Sequence, residues 1–146
     1  MATVRQILKT KGYRVCSVRP DDSILDALHV MAENEIGAVL VMQDEDILGI
    51  FSERDYARRG ILKGNPPETP VSKLMTSLIY YVSPAQTLEE CMAQMTDKHI
   101  RHLPVLENGK VIVVISIGDV VKTMLSDQQN LIQGLESYIV GREYHL

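Results

Sequence analysis

Two short strings in this chain place a hydroxyl and a carboxylate at the same spacing: Ser52-Glu53-Arg54-Asp55 and Ser116-Ile117-Gly118-Asp119. A carboxylate can accept hydrogen bonds from two vicinal hydroxyls, as on a ribose. A Ser at a helix start, with the amides of the first turn, can approach a phosphate, helped by the helix dipole. Ser-x-x-Asp is equally an ordinary capping box, so neither string alone decides between the two readings. A third string, Arg101-His102, offers two groups suited to an anion, or a solvated pair on a strand edge. No nucleophile–His–acid set, P-loop, GxGxxG or metal-ligand cluster accompanies them, which argues against an enzyme and against a metal site.

The elements that must hold these groups come in two copies. Shifted by 64 positions, the sequence matches itself without a gap: Val18 falls on Val82, Pro20 on Pro84, Met31 on Met95, Ile36 on Ile100, Val41 on Val105, Ser52 on Ser116 and Asp55 on Asp119. Val4-Arg5-Gln6-Ile7-Leu8 resembles Val71-Ser72-Lys73-Leu74-Met75 at a slightly larger offset. In each half a short extended piece, 15–18 or 79–82, leads to a helix opened by Ser23-x-x-Asp26 or Thr87-x-x-Glu90. Apolar residues at Ile24, Ala27, Leu28 and Met31, and at Leu88, Cys91, Met92 and Met95, predict one buried face per helix. Two apolar strands and a hairpin follow, the second turning at Asn108-Gly109. Because the strands are nearly all apolar, both sheet faces are expected to be covered. A second helix begins at Ser52 and at Ser116. The order is β-α-β-β-α twice, an α+β fold of two repeats sharing one core by pseudo-two-fold packing. The repeats are placed at 1–62 and 71–125, with a Pro-rich linker at 63–70 and a C-terminal helix and tail at 126–146. That helix is read as capped at Ser126 and ended at Gly141, with an apolar stripe of Leu131, Ile132, Leu135, Tyr138 and Ile139.

Composition narrows the partners. The 146 residues are 45% hydrophobic and 23% charged, enough for a core and against general disorder. The net charge of −4 argues against a broad nucleic-acid surface. No apolar stretch approaches the roughly 20 residues that cross a bilayer, and no secretory leader is visible, so the expected place is the cytoplasm. Cys16 and Cys91 read as reduced structural thiols.

These residues resemble the cystathionine β-synthase (CBS) domain pair, or Bateman module. The resemblance rests on Gly49-Ile50-Phe51-Ser52-Glu53-Arg54-Asp55, Val114-Ile115-Ser116-Ile117-Gly118-Asp119, His99-Ile100-Arg101-His102-Leu103-Pro104-Val105 and Asn34-Glu35-Ile36-Gly37-Ala38-Val39-Leu40-Val41. It implies a regulatory module of stand-alone bacterial type with an adenine nucleotide (AMP, ATP or NAD(H)) between its repeats. It also implies a homodimer that signals by conformational change to an unnamed downstream protein. By the same resemblance, a first site joins Ser116 and Asp119 to Ile36, Gly37 and Ala38, with Arg101 and His102 facing phosphates. A second joins Ser52 and Asp55 to Ile100, Arg101 and His102, assisted by Arg54 and Arg58. The Asp119 site is favoured, because Gly37 and Ala38 leave room for a flat base. One departure is that Gly49 is matched by Val113, which is expected to narrow the cleft beside it. The competing functions are a structural dimerisation module with an empty cleft and a nucleotide-processing enzyme.

Overall fold

In the computed structural model, which describes residues 1–140, helix α1 (Val4–Lys11) precedes two pseudo-equivalent halves. The first holds β1 (Ser17–Val18), α2 (Ile24–Asn34), β2 (Ala38–Gln43), β3 (Asp46–Ser52) and a short α3 (Glu53–Asp55). The second holds α4 (Leu88–Lys98), β4 (His102–Glu107), β5 (Lys110–Ser116) and α5 (Ile117–Val140). The capping boxes read from sequence are formed: Ser23 Oγ accepts the Asp26 amide at 3.0 Å and Thr87 Oγ1 accepts that of Glu90 at 3.1 Å.

Both main helices end in a left-handed residue that is not glycine, Glu35 at φ 53° and His99 at φ 56°. This turn lets the amides of Ile36 and Ile100 return to Met31 O and Met95 O, each at 3.0 Å, and points the chain into the next strand. It thereby sets Ile36-Gly37-Ala38 and Ile100-Arg101-His102 at matching corners. The hairpins are in equivalent register, with Ala38 opposite Ser52 and His102 opposite Ser116. Gly109 and Asn108 both have positive φ, as the Asn-Gly turn requires.

The core is not the single shared one expected. Two clusters form, and each is closed by a segment leading into the other half. Val4, Ile7 and Leu8 of α1 pack with Val82, Leu88, Cys91, Met95, Leu103 and Ile115 of the second half. Val71 and Leu74, which lead into the second half, pack with Ile24, Ala27, Met31, Val39 and Phe51 of the first. Backbone bonds fix the exchange: Leu88 N donates to Ala2 O at 3.1 Å and Ile24 N to Thr69 O at 2.9 Å. The Pro-rich segment expected as a linker therefore supplies acceptors to the first turn of α2.

Three further readings are corrected. The strands β3 and β5 do not bury both faces; they bury alternate residues and leave Ile50 and Val114 partly open. Ser126 caps nothing, because α5 runs unbroken from Ile117 through it. The second half also lacks a strand matching β1; only Val82 bridges β4, at Val105. The side chains of Tyr138 and Ile139, and the whole of Gly141 and the five residues after it, lie outside the described residues. From Leu125 to Glu136 every residue of α5 is exposed.

If the exchanged segments close the cores, Ile7→Ala lowers the free energy of unfolding in a urea titration by about 2–5 kcal/mol, the cost of a buried Ile truncation. A change below about 1 kcal/mol would mean that α1 is an appendage.

Candidate functional site

The corners face each other across the pseudo-two-fold axis and form two clefts. The first has a volume of about 480 Å³ and is lined by Ile36, Gly37, Ala38, Val114, Ser116, Asp119 and His102, with Lys11, Arg14, Cys16, Glu35 and Val113. The second, of about 120 Å³, is lined by Ile100, Arg101, His102, Ile50, Ser52 and Asp55, with Arg54, Arg58, Thr76, Leu78, Tyr80 and His99 among its further walls. The pairs 14/78, 16/80, 36/100, 50/114, 52/116 and 55/119 all keep the repeat offset of 64. The structure brings the residues grouped from sequence to the expected clefts except Arg101, which lines the second cleft and not the first. His102 lines both.

The unequal volumes have a local cause. In the first half, Thr76 pairs with the edge of β3 through two bonds, Ile50 N to Thr76 O at 2.9 Å and Thr76 N to Ile50 O at 2.8 Å. A Cβ on Gly49 would stand 2.6 Å from Met75 Sδ and 2.9 Å from Thr76 O, so this approach needs a glycine. The matching segment in the second half remains helical through Lys11, and among the described residues no such strand covers β5. Val113 therefore meets no crossing backbone, and its cleft is the larger one, contrary to the narrowing expected from its bulk.

The two carboxylates differ as well. Asp119 Oδ2 accepts the Ser116 amide at 2.8 Å and Lys11 Nζ at 2.6 Å. Burial pushes the Asp119 carboxyl up, but the hydrogen bond and charge of Lys11 and the Ser116 amide outweigh it and hold the group below its ordinary range. Asp55 is more fully engaged. Its Oδ2 accepts the Ser52 amide and hydroxyl at 2.9 and 3.0 Å, and its Oδ1 accepts Arg59 Nη2 at 2.5 Å. Arg59 is held in turn by Thr76 Oγ1 at 2.7 Å.

Gly37 packs closely where the corners meet: a Cβ there would lie 2.9 Å from Glu53 Oε1, the end of a flexible side chain, and 3.3 Å from His102 Nε2. Burial first, then the charge of Lys11 and less so of Arg101, lower the pKa of His102 against the opposing pull of Asp119 and Asp55. The imidazole is therefore neutral at pH 7, able to donate from one nitrogen and accept at the other.

Sequence reading missed Lys11, Arg14, Cys16, Arg59 and Thr76. Arg59 was visible as an i,i+4 partner of Asp55. Arg14 and Cys16 were accessible only by carrying the repeat back to Leu78 and Tyr80, positions without chemical signature. Among the described residues, no cluster of three His, Cys, Asp or Glu could hold a metal ion, and no helix is long and apolar enough to cross a membrane.

Fold and clefts define a tandem-repeat module with two unequal clefts at its pseudo-axis. The family model of the CBS domain matches residues 4–61 and 71–126, and the chain belongs to that family. It is 32% identical to the CBS domain-containing protein CBSX3, mitochondrial, of Arabidopsis thaliana, over 95% of this chain and 72% of that protein. A structure of a protein with CBS domains from Burkholderia ambifaria MC40-6 shares 47% identity at a TM-score of 0.83, covering 87% of this chain and 96% of that one. The crystal structure of CBSX2 in complex with AMP shares 25% identity at a TM-score of 0.69, covering 88% and 99%.

The depressed pKa of His102 has a testable consequence. The unfolded chain binds a proton at this residue near pH 6.5 and the folded chain only at lower pH. Its contribution to stability is complete above pH 6.5 and declines as the pH falls from there through the folded-state value. An NMR titration should show the His102 ring titrating below 6.5; a midpoint at or above that value contradicts the electrostatics described.

Proposed function

We propose that this chain is a regulatory module that binds an adenine nucleotide in the first cleft and is not an enzyme. The observation that carries the reading is the convergence of Asp119 and Ser116 on the Ile36-Gly37-Ala38 edge around a cleft of about 480 Å³. That volume lies within the roughly 300–1,000 Å³ typical of small-molecule sites. The apolar edge with its open backbone suits a flat base, and Asp119 suits two ribose hydroxyls. Lys11, Arg14 and neutral His102 suit a phosphate. The AMP complex of CBSX2 supports the choice of an adenine ligand. Similar chains are named CBS domain-containing proteins rather than for an activity. AMP, ATP and NAD(H) all remain within the ligand class proposed.

Signalling arises from the geometry. A ligand held by Gly37 of one half and Asp119 of the other favours one angle between the halves, and a partner protein reads that population. We further propose a homodimer in the cytoplasm. Val121, Leu125, Leu131, Ile132 and Leu135 are exposed on α5 and give an assembly surface. This stripe also favours the second reading, a dimerisation module without ligand.

Calorimetry of nucleotide-free protein against AMP, with GMP as control, tests the proposal. Saturable AMP binding is expected, weakened about 10- to 100-fold by Asp119→Ala, as for loss of a charge-assisted hydrogen-bonding group, and less by Asp55→Ala. Absence of binding by folded protein would leave the dimerisation reading in its place. A second assay uses the thiols. Cys91 is buried, and burial with Glu90 and Glu89 pushes it up to about 11, so Cys16 should be the thiol that reacts with maleimide. AMP should slow that reaction, and an unchanged rate at saturating AMP would place the ligand elsewhere.

A further inference from the structure

Helix α5 continues beyond the repeat that starts it. The CBS match of the second half ends at residue 126, and the helix runs on to Val140. Every residue from Leu125 to Glu136 is exposed. A helical segment of this length is marginal in water without a partner surface. Asn130, Gly134 and the Ser126-Asp127 pair weaken it further, because all four are poor helix formers. The segment therefore depends on something that packs against it.

Its own pattern says what. Val121, Leu125, Ile132 and Leu135 are exposed apolar residues. With Gln128 they recur at alternating steps of four and three, the seam of a two-stranded coil. The opposite face holds Ser126, Asp127, Asn130 and Gln133 and has no Lys or Arg, so an anionic lipid surface is not its match. The two flanks of the seam differ. Leu131 stands on one. Lys122 and Glu136 stand on the other, two heptads apart, and neither makes an ion pair among the described residues. Parallel pairing sets each flank against the opposite flank of the other helix, which puts Glu136 beside Leu131. Antiparallel pairing sets like flank against like. Lys122 and Glu136 then meet twice, and Leu131 meets the partner subunit's Leu131.

Resting on the homodimer proposed above, we infer that residues 121–136 of α5 pair with the same segment of a second copy as an antiparallel two-stranded coil. Leu125 lies against the partner subunit's Leu135, and Lys122 against the partner subunit's Glu136. The charge pattern is complementary to its own reverse, which selects a second copy over an unrelated helix. The larger part of the contact, 127–136, lies outside both CBS matches. A helix pair this short buries less than the roughly 1,200 Å² of a standard interface, so a dissociation constant of micromolar order is expected.

The test is sedimentation equilibrium of the full chain without nucleotide, over a concentration series that spans the micromolar range. Wild type is compared with Ile132→Gln/Leu135→Gln, Lys122→Glu and the charge swap Lys122→Glu/Glu136→Lys. A urea midpoint for each variant shows that the repeats stay folded. The inference predicts a wild-type dimer that Ile132→Gln/Leu135→Gln weakens by at least about 100-fold, since four half-buried apolar side chains are lost per dimer. It predicts that Lys122→Glu weakens the dimer by about 3- to 30-fold, the effect of two surface ion pairs, and that the charge swap restores it. A dimer unaffected by Ile132→Gln/Leu135→Gln overturns the inference and leaves the homodimer reading to another face. Lys122→Glu without effect, or without rescue by Glu136→Lys, overturns the antiparallel coil likewise. A wild-type chain that stays monomeric throughout overturns the inference and the homodimer reading together, and leaves the stripe to a different protein. The nucleotide reading stands in every case.

Discussion

Val4, Ile7 and Leu8 leave water in the core cluster of the second half, and Val71 and Leu74 in that of the first, so each half of the chain completes its core with residues that precede the other half. Burying each such side chain contributes about 1.5–3 kcal/mol. A unit of about 60 residues has little surplus with which to forgo several of them. The exchange also satisfies backbone groups, since the first-turn amides at Leu88 and Ile24 find acceptors in Ala2 and Thr69. The halves are thus held together by what each lacks, and a pseudo-two-fold relation results because the same exchange is made twice.

From that relation come both the clefts and their inequality. Equivalent corners must face each other across the axis, which brings Gly37 against His102 and sets Asp119 and Asp55 on opposite sides. The exchanged segments then continue differently. After Leu74 the chain turns to pair Thr76 with β3, closing its cleft and, with Arg59, clamping Asp55. After Leu8 the chain stays helical, pairs with no edge of β5, and ends in Lys11, whose ammonium rests on Asp119. A partly exposed pair of this kind adds little to stability, so a ligand that offers Lys11 a phosphate and Asp119 two hydroxyls can replace it at small cost.

Much of this was legible because it is written locally. Ser23-x-x-Asp26 and Thr87-x-x-Glu90 announce their helices, Asn108-Gly109 its turn, and the repeat at offset 64 pairs the corners residue by residue. The parts that were not legible depend on contacts between distant segments. The likeness of Val4–Leu8 to Val71–Met75 was visible, but nothing in five residues says which core they enter. Lys11 and Asp119 are 108 residues apart, and a lysine at a helix end carries no mark of its partner. The false cap at Ser126 came from weighing a polar run above the absence of any Gly or Pro between Asp119 and Gln133, so nothing there breaks the helix. Val113 misled because the glycine it replaces serves a crossing strand that only the first half has.

The central claim is that Asp119 holds the sugar of a nucleotide and gives up Lys11 to do so. A crystal structure of the protein with bound AMP tests it most directly. The account predicts the base against Ile36, Gly37 and Ala38, the ribose hydroxyls on the Asp119 carboxylate, and Lys11 Nζ moved from Asp119 toward the phosphate. A nucleotide lying elsewhere, or the Lys11–Asp119 pair intact beside it, would contradict the account.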